Sequence, residues 1–373
     1  MSRGIAGEAA LAAGMFMAAC GPAPRTATTV TRVAAPAATA TPAAATPTPA
    51  ATPAPPPPLL VVLQPNAIEA LDGAGTPQWS FDPRTVVGAG SNDMAAYAGG
   101  SHLLLTSATT VTVIDRRGVI VGHGATVTAA AIPGSVPIHP DPTGTRWAWA
   151  TLDHAPAGVQ GSTAPADRWS GAVWVAGIGE APHRVESWTE PAETTVEVFL
   201  WSDRGIVTAV VPDACAPTPQ EASTALLDPN TGRSTPLQGG DRHVVDVHAG
   251  LVLAMRQPET LLVSGAVQAT LTEQPARQFE HLAAAAISPD GAHVFASMTS
   301  MSGCGGEPEV RTAVLDPATH HAGVLPDVFA VAWFDDAHLV VRGAQGNGLR
   351  IVDLAGAGPA APLVHGVLVG VLR

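Results

Sequence analysis

Six times along this chain an apolar run, a polar or glycine turn and a second apolar run follow one another: "MAAYAGGSHLLL", "PIHPDPTGTRWAWA", "VFLWSDRGIVTAVV", "VVDVHAGLVLAM", "AAISPDGAHVFAS" and "AVAWFDDAHLVVRG". Their turns fall near Gly100, Gly144, Gly205, Gly250, Gly291 and Asp336, at spacings of 44, 61, 45, 41 and 45 residues. A unit recurring at such a period cannot bury its apolar surface alone and must stack on its neighbours. A second hairpin follows each first one, most clearly in "VTVIDRRGVIVG", "TALLDPNTGRSTPL", "TAVLDPATHHAGVL" and "LRIVDLAGAGPAAPL". Two hairpins in about 45 residues give four strands per unit, the make-up of a β-propeller blade. Abundant glycine (38) and proline (35) between short apolar runs point the same way, to an all-β chain. Aspartate followed by Pro, Arg or Gly suits the turns, because its side chain bonds the nearby backbone and glycine accepts positive φ.

The chain ends complete the pattern. Residues 59–82, "LLVVLQPNAIEALDGAGTPQWSFD", hold three strands of a unit, and the C-terminal "VHGVLVGVLR" supplies one strand more than the sixth unit needs. Pairing them makes a seventh blade from both ends and removes sheet edges that would invite aggregation. The expected fold over residues 59–373 is therefore an all-β, seven-bladed β-propeller closed by N- and C-terminal strands in one blade; six or eight blades also fit the spacing. The C-terminal run is too short for a membrane helix.

Residues 9–19, "AALAAGMFMAA", form an apolar run after the single positive charge of Arg3, the build of a signal-peptide core. Ala18 and Ala19 then precede Cys20. This stretch resembles the bacterial lipobox, in which cleavage before a cysteine frees the residue whose thiol carries lipid. The resemblance implies a signal peptide over residues 1–19, lipidation of Cys20, and a location outside the cytoplasm, on the outer face of the cell membrane or in the periplasm. Residues 21–58 contain eleven Pro, nine Thr and no acidic residue. Such a tract has too few large apolar groups to offset its ordering entropy, and in polyproline II form it reaches roughly 100 Å. Residues 20–58 are expected to be a disordered tether behind the anchor.

The "SPDGAHVFAS" unit resembles the WD40-like repeats of TolB-type propellers. "AIEALDGAGTPQWSFD" resembles the PQQ-like repeat of quinoproteins and BamB-type lipoproteins, with Asp72, Gly75 and Trp79 at the turn and docking-tryptophan positions. Most other units lack that tryptophan, so the resemblance implies architecture and carries over neither quinone binding nor the partners of those families.

Three places invite a functional reading. Cys215 and Cys304 lie nine and eight residues before the matched "TALLDPNT" and "TAVLDPAT", in the loop between second and third strands of blades four and six. In an exported chain they form a disulfide or remain two free thiols; a bridge over this interval would contribute roughly 4 kcal/mol. The insertion "HAPAGVQGSTAPADRWS", residues 154–170, occupies the same loop of blade three, and Asp167, Arg168 and Trp169 are its candidate contact residues. Six of the eight tryptophans lie between Trp147 and Trp201, either as a stacking platform for a sugar or as core; the alternation of Trp147 and Trp149 favours core.

The formal net charge is −13 and all 18 basic residues are arginine, which excludes a nucleic-acid-binding footprint. No GxSxG, Walker A, HExxH or clustered Cys/His pattern occurs, and no metal or cofactor is expected. The adjacent His320–His321 would point to opposite faces on a strand or to solvent in a turn, and Asp335–Asp336 falls in an expected hairpin turn. The expected function is a monomeric, lipid-anchored extracytoplasmic scaffold that binds a protein or glycan. An envelope-protein assembly factor is the alternative, and a propeller hydrolase or lyase acting on extracellular polymers a further one; enzymatic activity is left open, with binding favoured.

Overall fold

Runs such as "LLVVL" at Leu59–Leu63 and "HLLLTS" at His102–Ser107 place apolar side chains on both faces of a strand, so their sheets need cover on both sides. In the computed structural model that cover comes from a ring of seven four-stranded antiparallel sheets. The structure describes residues 55–87, 94–107, 109–127, 137–154, 168–190, 194–212, 223–238, 242–256, 260–263, 266–270, 280–300, 309–326, 328–343, 348–354 and 364–373. The chain divides into two units, Met1–Ala54 and Pro55–Arg373, the first of which lies outside the described residues, with the expected signal peptide, Cys20 and most of the tether.

Blade one is built from both chain ends. Val367–Leu372 is its innermost strand and pairs with Leu59–Leu63; Ile68–Leu71 and Pro77–Phe81 follow outward. The expected closure is present and the blade number is seven. Blade two runs outward from Met94–Gly99 to Ile120–Ala125, blade three from His139–Pro140 to His183–Glu190, and blade four from Thr194–Ser202 to Ser234–Gln238. Blade five runs from Arg242–His248 to Ala266–Thr270, blade six from Glu280–Ile287 to His321–Pro326, and blade seven from Val328–Trp333 to Val364–His365. Among the described residues the one helix is a single turn, Arg84–Val87, between blades one and two.

The core is a ring as well. Each of seven apolar clusters lies between two consecutive blades. Alternation along one strand divides its side chains between two of them: Leu59 and Val61 pack toward blade two, Leu60 and Val62 toward blade seven. That is why these strands read as continuous apolar runs. Five inner strands carry a bulge against the second strand, at Val369, Phe199, Val245, Ala283 and Val331. A bulge bends a strand and increases its twist, which suits strands bordering a closed central axis.

Antiparallel order gives the ring two unlike faces. Turns from first to second and from third to outer strands lie on one, here termed the tight-turn face. Second-to-third loops and blade-to-blade connections lie on the other, the crossover face. Leu59 and Arg373, at the ends of paired strands, are both at the tight-turn face.

Candidate functional site

Of the residues singled out from sequence, Cys20, Asp167, Cys215 and Cys304 lie outside the described residues. Arg168 is exposed, and Trp169 opens the third strand of blade three, Trp169–Gly177, at the crossover face. Trp169 is partly buried and packs against the cluster shared by blades three and four. Trp147, Trp149 and Trp188 are buried, so much of the tryptophan-rich sector is core. Trp174 stacks on Trp149 at 6.5 Å, and its indole N–H donates to the Thr151 hydroxyl at 3.0 Å.

The tight-turn face is lined by aspartates that cap their own turns. The Asp72 carboxylate accepts from the Ala74 and Thr76 amides, Asp115 from Arg117 and Val119, and Asp335 from Ala337 and His338. The Asn230 amide and the Thr231 hydroxyl hold the Asp228 carboxyl below its ordinary range. These carboxylates are turn-formers, as expected for Asp335; Asp336 instead reaches blade six, accepting from the Asp290 amide at 3.0 Å. Near the axis Arg373 joins three blades, its amide donating to the Gly100 carbonyl and its guanidinium to the Trp333 carbonyl, each at 2.7 Å. Asp246, its carboxyl raised by burial, accepts from the Ile287 amide of the next blade at 2.8 Å. The charges at the axis thus serve contacts between blades.

Between blades three and four the same face is different. A solvent-open cleft of about 580 Å³ is lined by Arg146, Glu180, His183, Arg184 and Val185 of blade three and by the Pro229–Gly232 turn of blade four. The Arg146 guanidinium carbon lies 5.3 Å from the centre of the Trp201 ring of blade four. Its Nε is buried without a hydrogen-bond partner. Stacking of this kind holds the planar fork of N–H donors in place. His183 and Arg184 come from the outer strand, where Val185 is bulged between the pairs Val173↔Glu186 and Trp174↔Arg184. Among the described residues no carboxylate forms an ion pair with Arg146 or Arg184. In a chain of net charge −13 this recess brings two guanidinium groups together with one lining carboxylate, Glu180, and guanidinium forks are suited to carboxylate or phosphate oxygens.

Sequence reasoning missed this site because its residues belong to two units and meet only when blades stack. One signal was there: Arg146 begins the second strand where His102, His293 and His338 stand in three other units. No protein-family model matches the chain, and no curated protein matches it. Solved structures do resemble it. An acylaminoacyl peptidase in complex with Z-Gly-Gly-Phe-chloromethyl ketone is 13% identical at a TM-score of 0.50, over 76% of this chain and 45% of that one. Prolyl oligopeptidase B from Galerina marginata is 12% identical at 0.50, over 83% and 48%. The β-propeller domain of the Trilobed protease from Pyrococcus furiosus is 11% identical at 0.44, over 76% and 86%. Such identities show a shared β-propeller fold and no more. The chain spans about half the length of the acylaminoacyl peptidases it resembles.

Proposed function

We propose that this chain is a binding module carried outside the cytoplasmic membrane on a lipidated, Pro-rich tether, and that its ligand is a glycan or a protein. The cleft between blades three and four carries the reading. It is open to solvent and its two arginines form no ion pair with a described carboxylate. Binding sites on rigid scaffolds have this form: a concavity with a few convergent polar groups. In this reading Cys20 bears the lipid, and Cys215 and Cys304 are bridged in the oxidising exterior. The activity of the peptidases that share the fold has no part in it, since fold alone does not transfer function.

The test is crosslinking in intact cells with the full-length chain as bait. A second bait carries Arg146→Gln with Arg184→Gln, and a third lacks residues 155–167, leaving the strand that Trp169 opens intact. One dominant protein or saccharide captured by the first and third baits and lost from the second is the expected result. Loss from the third bait alone would move the site to the crossover face. Capture of nothing by any bait would remove the binding-module reading.

A further inference from the structure

We propose that the cleft between blades three and four binds an acidic saccharide, with the sugar carboxylate on the guanidinium groups of Arg146 and Arg184. This deepens the binding-module reading and rests on it. Three observations define the ligand.

The first is charge. Two arginines share the recess with one lining carboxylate, Glu180, and neither forms an ion pair with it. The nearby Asp228 carboxylate is engaged by its own turn through the Asn230 amide and the Thr231 hydroxyl. Arg146 lies over Trp201 with its Nε already desolvated, so little ordering remains when an anion arrives. A guanidinium fork matches the two oxygens of a carboxylate.

The second is size and lining. At about 580 Å³ the recess is far larger than one small anion and falls within the range of small-ligand sites. Around the arginines stand the hydrogen-bonding side chains of His183, Asn230 and Thr231, while Val185 and Pro229 are the apolar ones. The Thr231 hydroxyl donates to Asp228 and accepts from the Arg233 amide at 3.4 Å, which fixes its place at the edge of the recess. A ring of hydroxyl groups beside one carboxylate satisfies such a lining better than a bare phosphate does.

The third is the strand edge. A peptide would be expected to add to the outer strand of blade three. At the cleft that edge is covered, because a Cβ on Gly232 would lie 2.6 Å from the Val185 carbonyl oxygen. Main-chain pairing, the usual source of peptide affinity at a sheet edge, is blocked there.

The experiment is calorimetric titration of the full-length chain with digalacturonic acid, a neutral galactose disaccharide, inorganic phosphate and an acidic hexapeptide. Digalacturonic acid is expected to bind, and the neutral disaccharide at least about tenfold more weakly. Arg184→Gln should weaken the acid by about tenfold or more, and Arg184→Lys should recover only part of that, since the charge returns without the fork. Arg184 is exposed, so this variant tests the site without disturbing the core; Arg146→Gln, which also loses the Trp201 contact, is expected to lose at least as much. Equal binding of the neutral disaccharide, or an Arg184→Gln variant with unchanged affinity, would overturn the proposal. So would binding of phosphate alone, which would make this a bare anion site. Tighter, Arg184-dependent binding of the hexapeptide would replace the saccharide with a protein ligand. Silence toward every probe up to about 10 mM would also overturn it, and a partner still captured in cells would then leave the binding-module reading standing.

Discussion

At Gly144 the backbone takes φ +72°, and a Cβ there would run into the Gly99 carbonyl of the neighbouring blade. Two requirements meet at one residue: left-handed backbone and close approach across a blade junction. Gly144→Ala should therefore cost about 3 kcal/mol or more, read as a lowered denaturation midpoint with unchanged slope. A second residue constrains pH. His139, on the innermost strand of blade three, has its imidazole pushed down to about 4 by burial. The unfolded chain takes up that proton at about 6.5, so stability falls as pH drops from about 6.5 toward 4 and is unaffected above that window. The full effect is on the order of 3 kcal/mol. Denaturation at pH 7 and pH 4.5 should show the native chain losing more than His139→Asn loses. The Asp228 carboxyl, held low by its turn hydrogen bonds, loses them in the same direction, as acidification protonates it; the difference between the two chains isolates the histidine.

At the scale of the strand, closure is the feature on which most depends. Val367–Leu372 contributes Val371 to the cluster facing blade seven and Leu372 to the one facing blade two. Deleting residues 366–373 should open both junctions and expose the Leu59–Leu63 edge. The expected outcome is loss of the cooperative melt in circular dichroism, with partial recovery on adding a peptide of residues 364–373; an unchanged melt would show that the strand is dispensable. Four-stranded units and the shared blade were legible because turn spacing and apolar runs are local properties. The bulges were not. Nothing in "VVDVH" or "VAWF" marks the residue that is left unpaired, since the bulge arises where an inner strand must bend around the axis. Blade three shows the same limit: its inner strand is only His139–Pro140, and proline cannot donate to a ladder.

For the whole molecule, seven stacked interfaces and one closed ring account for the size of the propeller domain, and the two-arginine cleft lies at one of those interfaces in a chain of net charge −13. The proposed display outside the membrane has its own tests. Cys20→Ser should release the chain from the membrane fraction and abolish incorporation of labelled lipid; a variant that stays labelled would remove the anchor. Peptide mapping without reductant should recover Cys215 and Cys304 as one crosslinked pair, and alkylation of both thiols in the native chain would exclude the bridge.

Sequence by itself determined the strand content, the repeat, the blade that joins both ends and the aspartate turns, because each follows from local backbone chemistry and the period-two placement of apolar side chains. It placed Trp147 and Trp149 in the core for the same reason. Only the tertiary structure decided what meets across a blade junction. Arg146 lies over Trp201, 55 residues away in the chain, and faces a turn at Pro229–Gly232 because blades three and four stack with one angle and one offset. That geometry is set by the summed packing of a whole apolar cluster, and no short stretch of sequence contains it.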